Sequence, residues 1–114
     1  MENSMKRLCK LAVMMILVTC FAVPGSFAGN TPAADLFNAK CAACHAPDGS
    51  GSTTMGKVLK IRDLASADVQ KQSDEELIRI MVKGKGKMPG FEGKLKTEQI
   101  GELTGYIRAL AKKR

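Results

Sequence analysis

Apolar residues gather in four stretches of this 114-residue chain, and the spacing within them differs. The first stretch, residues 11–23 (LAVMMILVTCFAV), is continuous and uncharged, whereas the other three are interrupted at helical intervals. Leu36 and Phe37 make a short apolar face behind Thr31 and Pro32, a pair that reads as a helix N-cap followed by proline at the first helical position. Leu77, Ile78, Met81 and Val82 recur at i and i+4, the neighbour spacing of a helix surface. Ahead of them Ser73 and Glu76 form a capping-box pair, Asp74 and Glu75 put negative charge in the first turn, and Gly84 ends the helix. Ile100, Leu103, Ile107 and Leu110 make one stripe of a last helix capped by Thr97, and Lys112, Lys113 and Arg114 suit its C-terminal end.

Between these helices, residues 46–57 (APDGSGSTTMGK) are rich in Gly, Ser and Thr and read as loop. Residues 57–64 (KVLKIRDL) come nearest to a strand, but a helical turn or an irregular segment fits them as well. The pattern predicts a small all-α protein of one domain, without internal repeats.

The continuous apolar run belongs to a different kind of element. Lys6, Arg7 and Lys10 precede it, Pro24 breaks it, and Ser26 and Ala28 supply the small residues that signal peptidase reads. Residues 1–28 are therefore expected to be a cleaved signal peptide, leaving residues 29–114 as the mature domain, soluble in the periplasm or otherwise exported. Lipidation at Cys20 and a retained anchor are the rival readings. Thr19 matches poorly the small residue that lipidation wants, and 13 apolar residues fall short of the roughly 20 that span a bilayer.

Removing the leader changes the composition that matters. The remaining 86 residues hold no Trp, one Tyr (Tyr106) and two Phe (Phe37 and Phe91), a thin set for a core. Domains this small commonly need a metal, disulfides or a cofactor to complete their interior. Cys9 and Cys20 leave with the leader, so Cys41 and Cys44 stand alone in a compartment that permits disulfides. With Lys6, Arg7, Lys10 and Glu2 gone, 15 basic and 10 acidic side chains give a net charge of +5, which favours acidic partners. No aromatics interleave with the basic residues, so nucleic acid is not an expected partner.

Cys41-Ala42-Ala43-Cys44-His45 is a C-x-x-C-H sequence, the attachment signal for c-type haem. Two cysteines three apart near a helix end can reach both vinyl groups on one porphyrin edge as thioethers. The next residue then lies under the ring, where His45 can offer nitrogen to iron. His45 is the only histidine, which rules out bis-histidine ligation and a zinc site with two histidines. A thioredoxin-like pair would want a β/α alternation that is missing. A structural disulfide would leave His45 without a purpose, and a chance match is the remaining alternative.

With no second His, the donor for the sixth iron position is a Met thioether. Met81 belongs to an apolar helix face, and Met55 lies in the Gly/Ser loop with nothing to brace it. Met88 sits in GKGKMPGF (residues 84–91), directly before Pro89, which fixes its own φ and biases the preceding residue towards an extended conformation. Met88 is the favoured ligand and Met55 the reserve, while packing of Met88 near Phe91 is the plain alternative.

CAACH, DEELIRIMVKGKGKMPGF (residues 74–91) and LTGYIRAL (residues 103–110) together resemble the small soluble class I cytochromes c of bacteria, over essentially residues 30–112. The resemblance implies three to four helices around one covalently bound haem, with first and last helices crossing and Phe37 meeting Leu103 and Tyr106. It implies thioethers from Cys41 and Cys44 and axial ligation by His45 and Met88. Two departures stand out. Ala33 replaces a glycine often found at the helix crossing. No proline lies between Pro47 and Pro89 to orient the histidine through its carbonyl, so a carbonyl of residues 52–58 is expected to do so.

Two protein ligands on iron leave no open position, which favours single-electron transfer over catalysis. A small peroxidase-like enzyme and a haem sensor with a labile sixth ligand are the alternatives. Lys83, Lys85 and Lys87 are expected to ring the haem edge, extended by Lys57, Lys60, Lys94 and Lys96, and to steer a monomer towards larger redox proteins with acidic docking surfaces.

Overall fold

A computed structural model describes residues 32–113. The expected signal peptide, the Thr31 cap and Arg114 lie outside the described residues. Six helices follow in chain order: α1 (Pro32–Lys40), α2 (Ala42–His45), α3 (Thr54–Val58), α4 (Ala67–Gln70), α5 (Asp74–Lys83) and α6 (Thr97–Ala111). Extended pairing among the described residues amounts to one bridge between Lys85 and Met88. None of the described helices is long and apolar enough to cross a membrane.

α1, α5 and α6 are the helices that the apolar spacing predicts. Pro32 opens α1, where its missing N–H leaves no helical bond unmade. α1 packs across α6, and α5 packs on α6 beside it. Phe37 of α1 and Leu103 of α6 are each 1% exposed, and the Phe37 ring lies 5.0 Å from that of Tyr106, tilted by 46°. Truncating either buried side chain to alanine costs about 2–5 kcal/mol, so this crossing is a main fastening of the fold. Leu77 and Met81 bring α5 into the same core with Ile100, Ile107 and Leu110.

Two caps differ from expectation. Ser73 Oγ accepts from Glu76 N at 3.2 Å, but the Glu76 carboxylate is bound by Arg79, at 2.8 Å from Nε and 2.6 Å from Nη2, so only half of the capping box forms. The start of α6 moves back one residue. Lys96 takes the extended N-cap backbone (φ −72°, ψ 155°), Thr97 is the first helical residue, and Gln99 Oε1 accepts from Lys96 N at 2.9 Å. Gln99 thus makes the reciprocal bond of a capping box, to the Lys96 amide, and not the bond to a first-turn amide that a Thr97 cap would have made.

α2, α3 and α4 have four or five residues each, too short to persist by backbone bonds alone. Side chains and neighbouring carbonyls hold them. This makes their positions sensitive to the site they enclose.

Candidate cofactor site

α1 runs into the C-x-x-C-H segment with Cys41 as the joint. Cys41 N donates to Phe37 O at 2.8 Å, continuing the α1 ladder, and His45 N donates to Cys41 O at 2.9 Å. One helical turn therefore carries Cys41, Cys44 and His45 at i, i+3 and i+4, on one face. Both cysteines are free thiols, half-buried.

The turn ends abruptly at Ala46, whose φ of 64° and ψ of 155° lie in a region that side chains rarely adopt. The loop beyond satisfies the carbonyls left open at the helix end. Gly51 N donates to His45 O at 2.7 Å. Thr53 Oγ1 donates to Cys44 O at 3.0 Å and accepts from Gly56 N at 2.9 Å, capping α3 in the process. A Cβ on Gly56 would stand 2.5 Å from Cys44 O, so only glycine lets α3 press against the motif this closely.

Met88 reaches the same region from a distant part of the chain. Met88 N donates to Lys85 O at 3.0 Å, and Lys85 N donates to Met88 O at 3.1 Å, closing a tight turn. Phe91 N and Glu92 N donate to Met81 O and Val82 O at 2.9 and 3.0 Å, clipping the chain beyond Pro89 onto the last carbonyls of α5. Gly84 makes the approach possible. It sits at φ 79°, and a Cβ there would lie 2.6 Å from Met88 O.

A cavity of about 230 Å³ is lined by Cys41, Cys44, His45, Leu59, Ile61 and Met88, among others. A second, of about 340 Å³, is lined by Phe37, Leu64, Val69, Leu77, Met81 and Ile107. Cys41, His45, Lys85 and Met88 line both. The combined space is of the order that cofactor sites occupy, about 300–1,000 Å³. Burial pushes the Cys41 thiol up from 9.0 to about 11 and lowers the His45 imidazole below its ordinary 6.5. His45 is thereby kept neutral near pH 7, with a lone pair available to a metal. Its Nδ1 is buried without a hydrogen-bond partner, so the carbonyl expected from residues 52–58 does not hold it.

The cleft thus brings together Cys41, Cys44, His45 and Met88. Met55 does not join them: it lies on α3, not in a loop, and is 50% exposed. Met81 is core, as its helix face predicts, and it also lines the larger cavity. Sequence reasoning placed Lys60 at the rim but missed its neighbours Leu59, Ile61 and Arg62. Leu59 and Ile61 line the smaller cavity, while Lys60 and Arg62 line the larger one. The alternation in VLKIR carried that signal, but it marks two faces of a cleft and not a strand. Lys40 was missed too; it lines the smaller cavity with Lys85 and Lys87. Lys83 is corrected in the opposite sense, because its Nζ pairs with Glu92 at 2.7 and 2.8 Å and does not stand free at the rim.

A small helical fold closed over two thiols, one imidazole and one thioether defines a protein built around a metal-bearing prosthetic group. A family described as cytochrome c oxidase, cbb3-type, subunit III matches residues 28–107. Cytochrome c6 of Nostoc sp. (strain PCC 7120) is 35% identical, over 90% of this chain and 92% of that protein. Cytochrome c6 of Microcystis aeruginosa is 38% identical, over 70% of this chain and 95% of that protein. Among solved structures, the KustC0563 c-type cytochrome superposes with a TM-score of 0.63 at 32% identity, covering 68% of this chain and 95% of its own. The chain belongs to the class I monohaem c-type cytochromes, electron-transfer proteins that carry one haem c.

Proposed function

We propose that Cys41 and Cys44 would hold the haem through thioethers, that His45 and Met88 would ligate its iron, and that the protein shuttles single electrons in the periplasm. One observation carries this reading. His45 of α2 and Met88 of the 85–88 turn, distant in sequence, line both cavities together with Cys41. When bound, the haem supplies an iron that cycles between the ferrous and ferric states. The thioether of Met88 favours the ferrous state, and the apolar walls of Leu64, Val69, Leu77 and Ile107 push the same way by penalising the extra ferric charge.

Ligation by both His45 and Met88 would leave the iron no open place for a substrate or gas, which supports electron carriage over the peroxidase-like and sensor readings. Lys40, Lys60, Arg62, Lys85 and Lys87 crowd the mouths of the cleft. Such a rim steers acidic redox partners towards the haem edge and repels a second copy of the same face, which supports a monomer. Residues 1–28 support export.

Potentiometric titration tests the proposal together with carbon monoxide. A reversible one-electron couple, with no carbon monoxide bound by the native reduced protein, is the expected result. High-spin ferric features or ready carbon monoxide binding would overturn electron carriage in favour of an open sixth position.

A further inference from the structure

The wall of the larger cavity formed by Leu64, Val69 and Gln72 spans a poorly anchored part of the chain. Leu64 N donates to Gly49 O at 2.9 Å, but the backbone bonds that follow are local, from Ser66 to Asp63, Val69 and Gln70 to Ser66, and Gln72 to Val69. α4 within it has only four residues and does not stand alone.

Two side chains carry the wall across to α6. Gln70 Nε2 donates to Leu64 O at 2.7 Å and to Ile107 O at 3.1 Å. Arg108 donates from Nη1 to Gln70 O at 2.8 Å and to Gln70 Oε1 at 3.3 Å, and from Nη2 to Gln72 O at 2.6 Å. Its Nε and Nη2 also grip Asp74 Oδ1, at 3.0 and 2.8 Å, at the start of α5. Leu64, Gln72 and Ile107, three of the residues whose carbonyls are bound, also line the cavity. The Asp74 carboxylate is well exposed, so its charge adds little. The planar fork reaching several carbonyls at once is what one ammonium cannot copy.

We propose that Arg108 and Gln70 are positioning residues for electron transfer: they hold the α4 wall against α6, keep water from the haem face, and thereby keep the reduction potential raised. The physical link is the apolar shell, whose exclusion of water penalises ferric iron. The inference rests on the haem lying between His45 and Met88.

The test uses the haem-loaded protein and its Arg108→Met, Arg108→Lys, Gln70→Leu and Arg79→Met variants. Midpoint potential is measured alongside amide hydrogen exchange. Arg108→Met and Gln70→Leu are expected to shift the equilibrium towards the ferric form by roughly three- to tenfold, tenfold being 59 mV for one electron. Exchange should quicken at residues 65–72 and not at 85–91. Arg108→Lys should recover only part of the shift, and Arg79→Met, which breaks a surface pair with Glu76, should move neither reading. Potentials that match wild type overturn the proposal, whether or not exchange quickens, and so does full recovery by Arg108→Lys. A wild-type protein without methionine ligation would instead remove the seating of the haem on which the inference stands.

Discussion

Met88 and Lys85 exchange two backbone hydrogen bonds, of 3.0 and 3.1 Å, around Gly86 at φ 58°. This pairing turns a glycine- and lysine-rich loop into a fixed shelf for one thioether. Pro89 follows with no N–H to satisfy, and beyond Gly90 the amides of Phe91 and Glu92 are taken up by α5 carbonyls. Bonds at Lys85, Met88, Phe91 and Glu92 thus fix the segment at both ends, with Met88 lining the cleft.

Gly84→Ala tests the shelf. Its Cβ would meet Met88 O at 2.6 Å and Gly90 N at 2.8 Å, at a φ of 79°. We expect a stability loss of about 1–3 kcal/mol in denaturant unfolding. The ferric spectrum should also show weakened methionine ligation. A variant as stable and as well ligated as wild type would show that Gly84 does not shape the loop.

Ala46→Gly should behave unlike other buried alanine substitutions. Relief of the strained backbone after His45 is worth about 1–3 kcal/mol. Against it stand about 0.5–1 kcal/mol of added unfolded-state freedom and about 0.8 kcal/mol for the lost buried methyl. The expected change lies between a loss of about 1 kcal/mol and a gain of about 2 kcal/mol. A loss above about 1 kcal/mol in the unfolding midpoint would mean that Ala46 is unstrained.

The basic rim gives a contrast within one loop. Lys85→Glu and Lys87→Glu should slow reaction with an acidic redox partner and flatten its dependence on ionic strength in stopped-flow kinetics. Lys83→Glu should do less, because Lys83 is already paired with Glu92. Equal slowing at all three positions would show that net charge, and not the rim, governs encounter.

Cys41 gives a pH prediction for the chain before haem is attached. Burial raises its thiol from 9.0 in an exposed setting to about 11 in the fold. The folded state therefore holds a proton that the unfolded state releases. The stability that follows is fully present below pH 9.0 and lost as pH rises towards about 11. At pH 8–9 the folded apoprotein should be alkylated at Cys41 more slowly than the same chain in denaturant. Equal rates would show the thiol to be unshielded.

How much of this was legible in the sequence depended on how local each cause is. Leu77, Met81, Ile100, Leu103 and Ile107 announced α5 and α6 because helical spacing repeats within a few residues. CAACH carried its own chemistry, and Pro89 pointed to Met88. α2 to α4 left no periodic trace, since four or five residues are held by Thr53, Gly56 and Gln70 through tertiary bonds. The Arg108–Gln70 bonds span 38 residues and the Lys83–Glu92 pair spans 9, and neither distance is written in any local pattern. The misplaced cap of α6 has a different origin: the bond from Lys96 N to Gln99 is local, but it needs no capping side chain at position 96.

The most direct measurement of the central claim is a proton NMR spectrum of the reduced protein, compared with those of Met88→Ala and Met55→Ala. A thioether on iron places its methyl over the macrocycle, where the ring current moves the resonance far upfield. The account predicts one such methyl in wild type and in Met55→Ala, and none in Met88→Ala. An upfield methyl that survives Met88→Ala, or vanishes in Met55→Ala, would contradict it.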